Sequence, residues 1–217
     1  MEVTEIKNQM LSTLLAHFYI CRFCKTVDTD RERCHVGHPC NKCGEPSPGG
    51  QFYFPVSVLA MINLMQEQYH LGPAPDESEE PNELATHQIA IIIFFCTLWE
   101  ALLENFLTNL LDHNKIPTGV SERLMKDHKF REGRVNKLFP SLVDEKWSTV
   151  VKELSNASEL NYKETEKFYL EVSETRNKFI HTGNIWVILP ELPEKCLNNI
   201  WPSVNLFISL HNRFIAK

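Results

Sequence analysis

Residues 83–112 read ELATHQIAIIIFFCTLWEALLENFLTNLLD, and this stretch decides the fold. Its apolar residues recur at helical spacing from end to end. The first half is apolar on nearly every side, the composition of a central helix or of one shared with a second subunit. The longest apolar run, Ile89 to Trp99, spans eleven residues with Thr97 its one polar member, and Glu100 and Glu104 follow at once. A bilayer needs roughly 18–20 such residues, so the expectation is a buried helix and no membrane span.

Outward from this helix the pattern stays helical. Upstream, Val56 to Gln68 places Leu59, Ile62 and Met65 on one side, and Thr4 to Ile20 repeats Ile6, Met10, Leu14 and Phe18 at the same spacing. Between them and the central helix, Gly72 to Asn82 holds three prolines and several acids, the composition of a solvated linker. Downstream, short helices are expected over Val120 to His128 and Ser141 to Leu154, separated by Phe130 to Pro140 with its Gly133. Asn161 can cap the next helix, with Glu164 three residues on to return a hydrogen bond. Phe168, Val172, Thr175 and Phe179 mark its buried face, and Thr182-Gly183 supplies the stop. Ile185 to Leu189 is a short β-prone piece closed by Pro190. A last helix over Ser203 to Ile215 turns Val204, Phe207, Ile208, His211 and Phe214 inward. The expected fold is mainly α, divided into residues 1–71, a linker at 72–82 and a helical domain at 83–217.

The whole chain has 217 residues, enough for one core and a small metal-held appendage. Its net charge of -6 argues against coating nucleic acid through the overall field, but permits a local basic cleft. The first residues carry acids where an export signal has Lys or Arg. Five of the seven cysteines lie between Cys21 and Cys43, with Cys96 and Cys196 apart in helical settings. That clustering points to metal rather than disulfides and to a reducing, cytoplasmic setting.

Cys21-x-x-Cys24 and Cys40-x-x-Cys43 are separated by fifteen residues, a spacing that presents four thiolates to one zinc ion. Asn41, Lys42 and Gly44 suit the second turn, Gly44 by taking a positive φ. Between the pairs, Cys34, His35 and His38 can replace a ligand, build a second site or line the loop. The preferred reading is a structural zinc, since catalytic zinc keeps an open position. Arg22, Lys25, Arg31, Arg33 and Lys42 offer phosphate contacts, offset by Asp28, Asp30, Glu32 and Glu45.

Glu-Thr-Arg-Asn-Lys-Phe-Ile-His-Thr-Gly, residues 174–183, resembles the signature of the HEPN superfamily, helical proteins that include many metal-independent endoribonucleases of conflict systems. Arg33 to His38 and Arg123 to His128 share the bare spacing. Arg176 to His181 differs by Asn177, by its place late in a capped helix, and by Phe179 and Ile180. Leu98 to Leu107 also looks like an early helix of such a domain, so the resemblance covers roughly Glu83 to Lys217. It implies a homodimer acting on RNA without a catalytic metal, as a toxin or antiphage defence effector with an antitoxin or defence-system protein as a further partner.

Transesterification of RNA needs a base for the 2′-hydroxyl, an acid for the departing 5′-oxygen and positive charge on the phosphate, and His and Arg supply these. On one helix, Asn177 and His181 share a face, whereas Arg176 and His181 are about 140° apart around the axis. A two-fold axis would gather two copies of each around one cleft. His181 is thus assigned general acid and base, Arg176 phosphate binding, and Asn177 orientation of His181 or the phosphate, with Glu100 or Glu104 supporting Arg176. His70, His87, His113 and His211 show no comparable arrangement. Two other functions compete: a non-catalytic helical dimer that binds a nucleotide or partner protein, and a zinc-ribbon nucleic-acid adaptor.

Overall fold

A computed structural model describes Leu15 and residues 18–27, 39–45, 51–71, 81–184 and 188–216. Among these the chain is mainly helical. Strand β1 (Tyr19–Ile20) pairs antiparallel with β2 (Gln51–Phe52), Tyr19 opposite Phe52. Helices α1 (Val56–Leu71) and α2 (Pro81–His113) follow. Next come α3 (Thr118–Asp127), α4 (Arg131–Gly133), a π-helical turn (Arg134–Leu138) and α5 (Phe139–Val143). The series ends with α6 (Trp147–Asn156), α7 (Tyr162–Thr182), α8 (Leu192–Asn198) and α9 (Ile200–Phe214).

Several boundaries differ from the sequence reading for local reasons. The expected helix over Thr4 to Ile20 stops before its end, because Tyr19 and Ile20 pair with β2 and the Tyr53 amide donates to the Phe18 carbonyl at 2.8 Å. Most of that helix lies outside the described residues, as do linker residues 72–80 and 185–187 of the β-prone piece. Pro81, read as linker, is the first residue of α2, where its missing N–H costs nothing. The expected separator from Phe130 to Pro140 is itself helical, and the Phe139 amide reaches back five residues to the Arg134 carbonyl. The single helix expected over Ser141 to Leu154 is broken where Asp144 turns left-handed at φ 57.

Tertiary packing divides the chain differently from the expected sequential domains. One compact unit draws on Pro55–Ala101 and Glu164–Ser203, the other on His17–Phe54, Leu102–Lys163 and Val204–Lys217. The physical reason is helix length: the 33 residues of α2 run on through Ala101 and Leu102, where the units divide.

In the first unit α2 lies against α7. Trp99 stacks on Tyr169 with centroids 4.4 Å apart and planes 13° from parallel, and Phe95 meets Phe168 edge-on at 5.6 Å. The buried Trp99 indole donates to the Ser203 hydroxyl at 2.8 Å. In the second unit Phe106, Phe139, Trp147 and Phe207 form an aromatic cluster, with Phe139 and Trp147 edge-to-face at 5.2 Å. Arg213 ties α9 to Glu145 and Glu153 at 2.6 and 2.7 Å.

By length and composition Thr86–His113 is apolar enough to cross a bilayer, more than its eleven-residue run implies, and 50% of its most apolar window is buried within the protein. Ile91, Ile92, Phe95, Leu98 and Trp99 are the buried side, while Ile89, Ile93 and Phe94 stay partly exposed.

Candidate functional site

Two constellations stand out, one of sulfur and one around α7. The first begins with two turns of the same construction. The Lys25 amide donates to the Cys21 carbonyl and the Gly44 amide to the Cys40 carbonyl, each at 2.9 Å. The Cys21 amide closes on Thr26 and the Cys40 amide on Glu45, again at 2.9 Å. Each turn needs a left-handed residue after its second cysteine: Gly44 takes φ 71 as its type predicts, and Lys25 takes φ 62.

The turns bring Cys21, Cys24, Cys40 and Cys43 together, with all four sulfurs within 4.8 Å of one another. Cys21 and Cys43 are 3.8 Å apart and Cys24 and Cys40 3.5 Å apart. Four sulfurs at about 2.3 Å from a central ion would lie about 3.8 Å from each other, so the set fits a tetrahedral metal. Cys34, His35 and His38 lie outside the described residues.

Charge makes the same case. Burial pushes the Cys24 thiol up, but the Thr26 hydroxyl and amide and the neighbouring thiols bring it down to about 6. Burial, helped by the Cys24 and Cys21 sulfurs, pushes Cys40 up to about 12 despite the amides of Cys43 and Lys42. The Glu45 amide favours the Cys43 thiolate, yet desolvation and the same sulfurs leave that group raised. One thiolate opposes the next, and a divalent cation reverses that balance.

The first turn is clamped to α9. Asn212 accepts from the Val27 amide and donates to its carbonyl, both at 2.7 Å, and the His211 Nε2 donates to the Lys25 carbonyl at 2.9 Å. His211 is buried edge-on against Tyr53, whose hydroxyl donates to the Phe207 carbonyl at 3.1 Å. Sequence reasoning identified His211 as inward-facing but could not assign it this clamp, whose partners are 185 and 186 residues apart.

The second constellation sits late in α7. Its buried line runs through Thr165, Tyr169 and Val172: of the expected Phe168, Val172, Thr175 and Phe179, Val172 is fully buried and the other three are half-buried beside that line. Continued one turn, that line reaches Arg176. Tyr169 and Arg176 bury a stem and keep a polar end, so an apolar count passes over them.

Arg176 is held tightly. Its Nη1 donates to Glu100 Oε1 at 3.0 Å, and Nε and Nη2 both donate to Asn177 Oδ1 at 3.3 Å. The arginine side chain is 18% exposed and that of Glu100 47%. Burial opposes its charge, but Glu100, Cys96 and Tyr169 hold the guanidinium above its ordinary value. The same burial pushes the neighbouring Cys96 thiol up to about 12. A crevice with no room for water runs along Ile89, Ile92, Ile93, Thr175, Arg176, Phe179 and Ile188.

The other expected residues are placed differently. Glu104 belongs to Arg134, with Nη2 to Oε2 at 3.1 Å, and makes no ion pair with Arg176. His181 is exposed in the last turn of α7, without a side-chain partner among the described residues. Gly183 ends that helix at φ 64, its amide on the Phe179 carbonyl at 2.8 Å. One chain thus joins Arg176, Asn177 and Glu100 and leaves His181 apart from them. Compared with known protein families, curated proteins and solved structures, the chain matches none.

Proposed function

We propose that the chain is a HEPN-like endoribonuclease that cuts RNA at a site completed by a second copy of itself, as a toxin or defence effector. The observation that carries this reading is the oriented Arg176 on the same helix as an exposed His181. Three of the five guanidinium N–H groups are engaged by Glu100 and Asn177, which leaves two for a phosphate. The partly exposed Ile89, Ile93 and Phe94, with Ile180 at 57% exposure, supply an apolar strip on α2 and α7 for a two-fold contact.

In such a pair one His181 takes the 2′-hydroxyl proton as the 2′-oxygen bonds to phosphorus. The partner's His181 gives a proton to the 5′-oxygen as its bond to phosphorus breaks. Arg176 carries the charge that builds on the phosphate oxygens. The four cysteines hold zinc in a structural role, the ion that four thiolates in a tetrahedron suit.

The Arg176 to Glu100 ion pair also favours a second reading, in which Arg176 only braces α7 against α2 in a non-catalytic dimer. One experiment separates them. Wild-type protein in EDTA is expected to release fragments ending in 2′,3′-cyclic phosphate, lost with His181→Ala and with Arg176→Gln while the dimer persists. A folded dimer that cuts no RNA selects the second reading.

A further inference from the structure

Between Glu122 and Lys137 stand six Lys and Arg against three Asp and Glu, a local excess of positive charge on a chain of net charge -6. The same segment frames an open pocket of about 360 Å³ lined by Asp127, His128, Lys129, Phe130, Asn136 and Lys137, with Glu132 and Gly133 at its side. Phe130 is 70% exposed, an aromatic ring set in basic surroundings with no core to fill. Lys129 Nζ lies over one face of the ring, 4.9 Å from its centroid, so a charge for a phosphate sits on one side of the ring and the opposite face is left for a base.

The wall of the pocket is firm. The π-helical turn Arg134–Leu138 carries Asn136 and Lys137, and such turns are frequent at binding sites. Arg134 fastens that turn through Glu104 and the His128 carbonyl, both at 3.1 Å. His128 spends Nδ1 on the Leu124 carbonyl at 3.0 Å, which leaves Nε2 for a ligand hydroxyl.

We propose that this pocket binds single-stranded RNA, one base stacked on Phe130 and its flanking phosphates on Lys129 and Lys137. The inference rests on the RNA reading above and gives it a substrate-docking site in a different part of the chain. Stacking on an aromatic ring tolerates any base, and an unpaired strand alone can offer one. The His128 imidazole then meets a 2′-hydroxyl, which DNA lacks.

The test is binding of a labelled single-stranded RNA to full-length His181→Ala protein, so that cleavage plays no part. Phe130→Ala is expected to weaken binding about tenfold. Lys129→Ala with Lys137→Ala is expected to lower the slope of log affinity against log salt by about 1.4, roughly 0.7 for each phosphate no longer neutralised. Lys152→Ala, a change at an exposed lysine of α6, serves as the control and leaves binding as it was. The same sequence in DNA binds more weakly. All the altered side chains are exposed, so unchanged melting temperatures show that folding is intact. Parental affinity and salt slope in both variants would overturn the docking site, as would failure of the parent protein to bind RNA at low salt. Cleavage by wild type while both variants bind normally sinks the docking site alone, and binding through this pocket without cleavage by wild type sinks the nuclease alone.

Discussion

Lys25 and Gly44 occupy the same place in the two cysteine turns, and only one of them has the residue type that the place favours. A side chain at positive φ costs roughly 1–2 kcal/mol against glycine. Lys25→Gly should therefore raise metal-loaded stability by about 1 kcal/mol, and Gly44→Val should lower it by at least as much. Denaturant unfolding of both variants checks this, and a destabilised Lys25→Gly would show that the lysine side chain contributes more than its strain costs. The Arg176 to Glu100 pair is open to a double-mutant cycle with Arg176→Gln and Glu100→Gln, expected to give a coupling of about 1 kcal/mol. His211 offers a pH test. Burial depresses it most, His113 adds to that, and the Lys25 carbonyl only partly opposes them. The folded chain keeps this imidazole neutral where an unfolded chain takes a proton near about 6.5. Its contribution to stability is whole above that pH and is lost as pH falls through the depressed value. Wild-type stability should drop more steeply than that of His211→Gln between roughly pH 7 and pH 5.5, measured with metal in excess.

At the scale of elements, the packing of α2 on α7 sets where Arg176 lies. The Trp99 to Tyr169 stack fixes the two helices in register beside Glu100 and two turns before Arg176, and the Trp99 to Ser203 hydrogen bond ties α2 to α9 at the same level. Trp99→Ala should cost about 3–5 kcal/mol by emptying a fully buried site. Trp99→Phe should cost less, losing the hydrogen bond and part of the volume. If Trp99→Phe also loosens the Glu100 coupling in the same cycle, the stack positions the ion pair. Unchanged coupling would show that the pair holds its own geometry.

On the scale of the whole molecule, metal removal reports how the cysteine turns are joined to the helices. Asn212 and His211 grip the first turn through Val27 and Lys25. Chelation should speed hydrogen exchange at the Val27 amide and lower the melting temperature, with one zinc ion released per chain. Slow exchange at Val27 in the metal-free protein would mean that α9 holds the turn alone.

The helical class, the gathering of four thiols that could hold a metal, the left-handed Gly44 and the Gly183 stop were legible in the sequence, because each follows from residue type and spacing over a few positions. Periodicity found α2 and α7 for the same reason. It misjudged Phe130 to Pro140, where a glycine read as a break lies inside a helical run. What spacing could not decide was which carboxylate meets which arginine. Glu100 and Glu104 lie one turn apart on α2, yet the first pairs with Arg176 in α7 and the second with Arg134 in the π-helical turn. Only packing between segments 30 and 76 residues apart makes that choice. It also turned the apolar stems of Tyr169 and Arg176 inward and left His181 exposed, a division that local pattern does not encode because it depends on what each face meets.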